Sequence, residues 1–240
     1  VAACDMTLTP SAGEVQAGQT FSTRLCFTAR NNADNTFDLA WRFISGEALL
    51  SGQSGELLWE MRCAVSSTYP GELRRLRLRS GKTAPDAVIF GFEPVLLGAR
   101  DYAAHPAFAR LGLCTSVRSG VLIVYRAPRG NQSAQYLALA CSGEAGFSSD
   151  FRQFPARGGA GKFRENTGWQ NEPYIAARIP LPEGGACEIA LALCVAGDAD
   201  TAARGARDML RESSGFAMAD AAAAVWGMES GESAAAMEYL

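Results

Sequence analysis

The sequence predicts an all-β fold, a large antiparallel β-sandwich followed by a short C-terminal α-helical segment. Three observations predict it. Apolar and polar residues alternate with a period of two in one segment after another across residues 1–200. Turns rich in Gly, Ser, Pro and Asn separate those segments at the spacing of a sandwich. Only within "GDADTAARGARDMLRESSGFAMADAAAAVWGMES" does the pattern shift to helical spacing, which sets a second segment at 201–240.

In chain order, "FSTRLCFTAR" places Phe21, Thr23, Leu25 and Phe27 on one face and Ser22, Arg24 and Thr28 on the other. That is a half-buried strand. "NNADN" at 31–35 reads as a turn, because Asn and Asp tolerate turn dihedrals and bond their own backbone. "TFDLAWRF" then aligns Phe37, Leu39, Trp41 and Phe43, so the two runs are expected to form a hairpin. The same signal recurs in "LLWEMRCAV" (57–65), "ELRRLRLRS" (72–80), "AVIFGFEPVLL" (87–97), "LGLCTSV" (111–117), "VLIVYRA" (121–127) and "QYLALAC" (135–141).

"YIAARIPL" and "CEIALALCVAG" complete the strands. In the latter, Ile189, Leu191, Leu193 and Val195 share one face and Ala190, Ala192, Cys194 and Ala196 the other. Large residues on one side and small ones on the other suit a strand covered on both faces, one of them at close approach. Asp200 or Thr201 is expected to cap a helix running to about Glu212, with Ser213-Ser214-Gly215 as its stop. Phe216, Ala219, Ala223 and Trp226 mark a second helix near 216–228.

The composition narrows the function classes. At 240 residues and 48% hydrophobic, the chain has ample material for a core. Its net charge of −3 supplies no field that would draw it to nucleic acid or an anionic membrane, so neither partner is expected. No apolar run approaches the ~18 residues of a membrane-spanning helix. The start at Val1 suggests a piece of a longer protein, and no basic-then-apolar signal peptide is present. The seven cysteines are odd in number and form no C-x-x-C pair. They read as small buried hydrophobes of a reduced, cytoplasmic protein, and no metal site is expected.

Candidate chemistry is sparse. His105, the sole histidine, lies in "RDYAAHPAF", where the following proline favours an extended or turn conformation. With no G-x-S-x-G elbow, it reads as a structural or hydrogen-bonding residue rather than a general base. Glu93, Asp101, Glu144, Asp150, Glu165 and Glu172 are the carboxylates available for paired acid–base work, and no motif forces two into one cleft. "RGGAG" at 157–161 lacks the context of a nucleotide loop, so no cofactor is implied. In "RRLRLR", Arg75, Arg77 and Arg79 share a strand face that reads as solvated or paired within the chain.

The segment 148–174, "SSDFRQFPARGGAGKFRENTGWQNEPY", differs from the rest. It interleaves Arg152, Arg157, Lys162 and Arg164 with Phe151, Phe154, Phe163, Trp169 and Tyr174, and has little strand pattern. A long irregular loop in a compact domain is often functional. Rings that stack on apolar sugar faces, beside polar groups for hydroxyls, suit sugar recognition. A loop that covers a sheet edge or docks on another domain suits the composition equally.

In order, "FEPVLLGARDYAAHPAFARL", "VLIVYRAPRG", "DFRQFPARGG", "GWQNEPYIAARIPLPEGG" and the closing helix resemble the β-sandwich region of glycoside hydrolase family 94. That family includes cellobiose and chitobiose phosphorylases and the phosphorylase-like part of cyclic β-1,2-glucan synthases. The last branch looks closest through its "E-x-x-L", "HPAF" and "R-x-F-x-x-R-G" elements, although Pro155 and Ala156 stand where a leucine–glycine pair is more usual. The resemblance spans roughly 55–226.

It implies a super-sandwich of galactose-mutarotase-like architecture, coupled through a helical linker to an α/α barrel that holds the catalytic acid. The barrel motifs are missing from these residues, so no catalytic residue carries over. The implied role is a non-catalytic carbohydrate-associated domain of a larger glycan phosphorylase or glycosyltransferase. Its expected partners are the barrel, a β-linked glucan or oligosaccharide, and a second copy in a homodimer. Trp169, Arg157 and Arg152 are the leading carbohydrate-binding candidates, with His105, Asp101 and Tyr102 second. Purely structural docking and a mutarotase-like enzyme are the alternatives, the latter weakened by the single histidine.

Overall fold

A computed structural model describes residues 2–8, 21–28, 38–44, 47–54, 56–66, 68–79, 87–92, 94–96, 104, 111–128, 130, 133–150, 163–168, 173–182 and 186–212. The fold is all-β with antiparallel sheets and one described C-terminal helix, as the alternation predicts. The chain divides into two compact units, Val1–Ala33 with Pro85–Tyr136 and Glu144–Leu181, and Asp34–Ala84 with Leu137–Gly143 and Pro182–Leu240.

The first unit holds β1 (Ala2–Leu8), β2 (Phe21–Thr28), β7 (Ala87–Phe92), β12 (Pro173–Pro180) and β11 (Gly146–Asp150), in that order across a five-stranded antiparallel sheet. Its core is built where β7 and β12 pair, with Phe90, Ile175 and Ala177 fully buried. Ile89, Tyr174 and Ala176 form a second buried cluster, and Phe163 packs against it. The unit also carries the hairpin of β8 (Leu113–Arg118) and β9 (Val121–Arg126). Ser119 and Gly120 turn it with φ of 47° and 73°. Two positive φ values are what a two-residue turn needs to match the strand twist.

The second unit holds β3 (Asp38–Ile44), β4 (Glu47–Ser54), β5 (Leu57–Val65), β6 (Gly71–Arg79), β13 (Ala186–Ala196) and β10 (Gln135–Cys141), again in sheet order. Leu50, Met61, Leu76 and Ile189 are cross-strand neighbours in register and line its buried face. On the other face, Glu60, Arg77 and Glu188 stand in one cross-strand row. The Glu188 carboxylate lies 2.7 Å from Arg77 Nε and 3.1 Å from Arg75 Nε. The hydrogen bond to Glu188 holds the Arg77 guanidinium above its ordinary pKa. Arg75 and Arg77 are therefore paired within the chain.

Residues 189–194 of β13 are buried without alternation, so the strand is covered on both faces. Helix α1 (Ala199–Glu212) packs on β13 and β6. Ala202, Ala206 and Met209 are fully buried at helical spacing. A side chain at Gly205 would place its Cβ 2.6 Å from Cys194 Sγ. One at Gly71 would collide with the Leu193 carbonyl and come within 2.8 Å of Met209 Cε. The small face of β13 is thus where another element makes its close approach. Tyr69 adds a polar anchor, donating its hydroxyl to Asp208 Oδ2 at 3.1 Å.

Several expectations shift. β2 pairs with β1 and β7, and β3 with β4, so the two runs around "NNADN" are not a hairpin. β4 was not anticipated, because "SGQS" has low strand propensity; β3 and β5 recruit it by pairing on either side. The helix is capped by Asp198 rather than by Asp200 or Thr201, and the Asp198 carboxylate accepts the Thr201 N–H at 2.8 Å. The second helix and Ser213-Ser214-Gly215 lie outside the described residues. Among the described residues, no helix is long and apolar enough to cross a membrane.

Candidate functional site

The polar–aromatic segment is rooted in the first unit, and its root is a hydrogen-bonded clamp. β11 ends in Ser148-Ser149-Asp150, and Ser148 and Ser149 are fully buried. Residues 163–168 return alongside, with Ser148 and Asn166 forming a parallel bridge. Asn166 donates its N–H to the Phe147 carbonyl at 3.1 Å. Its own carbonyl accepts two bonds from Ser149, from N–H at 2.7 Å and from Oγ at 3.1 Å. Asp150 N–H turns to Ser148 Oγ at 3.3 Å, where the pairing of β11 with β12 slips register. Seryl hydroxyls thus replace the ladder bonds that the irregular strand end loses.

The strap is tied a second time two residues on. Thr115 of β8, 4% exposed, donates its N–H to the Gly168 carbonyl at 3.0 Å. The Thr115 hydroxyl accepts the Gly168 N–H at 2.9 Å and lies 3.2 Å from the Gly168 carbonyl, to which it donates. Gly168 has φ of +127°, a conformation that disfavours any side chain. Ahead of both ties, Phe163 packs on Ile89, Tyr174 and Ala176. Glu165 lies over Gly146, where an added Cβ would come within 2.8 Å of Glu165 Oε1.

Trp169, Arg157, Arg152, His105, Asp101 and Tyr102 all lie outside the described residues. The clamp holds residues near two of them in sequence: Asp150 precedes Arg152 by two positions, and Gly168 directly precedes Trp169. Of the carboxylates, Glu93, Asp101 and Glu172 are also outside the described residues, Glu144 and Glu165 are exposed, and Asp150 is 7% exposed.

Among the described residues, no cluster of three or more His, Cys, Asp or Glu could hold a metal ion. Burial pushes the Cys141 thiol up to about 12 and also raises those of Cys187 and Cys194. These three thiols stay protonated at neutral pH and are poor nucleophiles. Cys63 and Cys114 are partly buried.

Thr115, Ser149, Asn166 and Gly168 were not singled out from sequence. The available signal was "NTG" at 166–168, a turn-type triplet just before Trp169. The buried serines gave none, because a strand ending in Ser-Ser-Asp reads as loop.

Three comparisons bear on this arrangement. The family model described as glycosyl hydrolase 94, supersandwich domain, matches residues 16–212. Among solved structures, the chain is similar to a family GH92 inverting mannosidase from Bacteroides thetaiotaomicron VPI-5482 at 9% identity and a TM-score of 0.42. That match covers 86% of this chain and 25% of the mannosidase. A family GH92 alpha-mannosidase from Bacteroides thetaiotaomicron is similar at 12% identity and a TM-score of 0.38, over 81% of this chain and 28% of that one. No curated protein matches the sequence.

Proposed function

Since the chain belongs to the supersandwich-domain family of glycosyl hydrolase 94, we propose that it is the non-catalytic domain of a larger glycan phosphorylase or synthase, supporting the catalytic α/α barrel and binding β-linked gluco-oligosaccharide. A carbohydrate-enzyme-associated domain is what the family membership itself gives. The sugar-binding part rests on the clamp, which roots a segment rich in rings and guanidinium groups on buried hydrogen bonds. Trp169 offers an aromatic face for a pyranose ring, and Arg157 and Arg152 offer donors to hydroxyls. His105, Asp101 and Tyr102 form the second candidate group.

Titrating the chain with β-linked gluco-oligosaccharides while following tryptophan fluorescence tests the reading. A saturable change at about millimolar sugar is expected, abolished by Trp169→Ala and weakened about tenfold by Arg157→Ala. A flat response would remove sugar binding from the proposal. A purely structural docking or dimerisation module is the second reading, favoured by Leu58, which leaves 47% of its surface exposed beside Arg79. A stable dimer in light scattering, with no sugar response, would select it.

A further inference from the structure

A ring, a carboxylate and a guanidinium come to one face of the first unit's sheet. Arg178 of β12 stands in register between Ile89 of β7 and Gly146 of β11. Residues directly opposite one another in antiparallel strands share a face. Phe163 packs on Ile89 and on Ala176, the latter two positions from Arg178 along β12. Glu165 reaches the same face from the other side, because its Oε1 lies 2.8 Å from where a Cβ on Gly146 would stand. The face is closed over Ile89 and Ala176, which are buried. It opens at Arg178, which is partly buried, and at Glu165, which is exposed.

The backbone that presents the carboxylate is held, since the next residue, Asn166, carries the hydrogen bonds to Phe147 and Ser149. Yet among the described residues neither the Glu165 carboxylate nor the Arg178 guanidinium makes an ion pair or a hydrogen bond. A carboxylate offers acceptors only and a guanidinium donors only. Side by side they disfavour an anion and a cation alike. A neutral ligand with neighbouring hydroxyls suits both, and the Phe163 ring supplies a surface for an apolar sugar face.

We propose that Phe163, Glu165 and Arg178 form a carbohydrate subsite for a neutral pyranose. Glu165 accepts from one hydroxyl, Arg178 donates to the neighbouring oxygen, and Phe163 lies against the C–H face of the ring. The inference rests on the reading of the chain as sugar-binding and is independent of Trp169.

The test titrates the full chain by calorimetry with cellobiose, a neutral β-linked glucose disaccharide, and with cellobionate, its anionic oxidised counterpart. Glu165→Gln and Arg178→Ala should each weaken cellobiose about tenfold, the loss expected for one hydrogen bond to a charged group. Gly146→Ala should weaken it as well, because the new methyl group meets only the flexible end of Glu165 and displaces it. The parent should prefer cellobiose to cellobionate, and Glu165→Gln should reverse that preference by leaving Arg178 without a neighbouring carboxylate. A general loss of structure would weaken both sugars together and reverse nothing.

Cellobiose binding that all three variants leave unchanged would overturn the subsite while the sugar reading stands. A preference that Glu165→Gln does not move would remove the carboxylate from it. A flat titration of the parent with both sugars sinks the sugar reading and the subsite together.

Discussion

The helix contact of the second unit and the strap of the first both fasten a segment to strands, and they do so with opposite chemistry. α1 reaches β13 and β6 because side chains are missing: Gly71, Gly205, Ala202 and Ala206 let the backbones come together, and Met209 fills the remaining space. Residues 163–168 are held because side chains supply what the backbone lacks, through the hydroxyls of Ser149 and Thr115. The first fastening is steric and indifferent to water. The second depends on hydrogen bonds that are worth little net in the open and much more when their groups are buried. A steric fastening makes a permanent joint, whereas a polar one fixes a segment in one orientation.

The sharpest way to break the contrast is Gly71→Ala. The new methyl group runs into the Leu193 carbonyl, which cannot move without disrupting the β6–β13 ladder. A loss of about 3 kcal/mol is expected in chemical denaturation. Ser149→Ala should act more gently and more locally. It removes one bond to the Asn166 carbonyl and leaves the backbone bond in place, costing about 1 kcal/mol. Hydrogen exchange should show strap amides opening faster while those of β6 and β13 are unchanged. Equal loosening of both would mean that the two fastenings are one cooperative unit.

The smallest effect concerns the cap of α1. The Thr201 N–H bonded to the Asp198 carboxylate, helped by the Thr201 hydroxyl, holds its pKa below the ordinary carboxylate value. A depressed folded-state pKa contributes stability above the ordinary carboxylate range and loses it as pH falls through the depressed value. Asp198→Ala should therefore be less stable than the parent at neutral pH, and the gap should close in acid. A gap independent of pH in urea denaturation would take the charge out of the cap.

The same contrast explains what the sequence made legible. The β6 and β13 strands, and even the close approach on the small face of β13, follow from alternation within one segment, because each side chain's face is set by its parity. The helix was legible from spacing, though its cap was not; Asp198, Asp200 and Thr201 are all plausible caps, and only the backbone angle selects one. Pairing partners were harder: nothing within "FSTRLCFTAR" says that β2 joins β7 rather than β3. The strap was hardest. Thr115 and Gly168 are 53 residues apart, and a threonine on a strand looks the same whether or not a glycine carbonyl reaches it. The segment it carries was found from composition alone, since its mixture of rings and arginines stands out without any knowledge of what anchors it.

The parallel bridge between Ser148 and Asn166 has one more consequence. It closes the chain on itself over a sequence separation of 17 positions from Ser149 to Asn166, and both ends are secured by groups within the fold. The cost of closing such a span rises only logarithmically with its length, about 0.6 kcal/mol for each doubling. The stretch from Asp150 to Phe163 can thus vary in length at little cost to the frame. Its length and chemistry can diverge from one descendant to the next while the frame beneath stays the same.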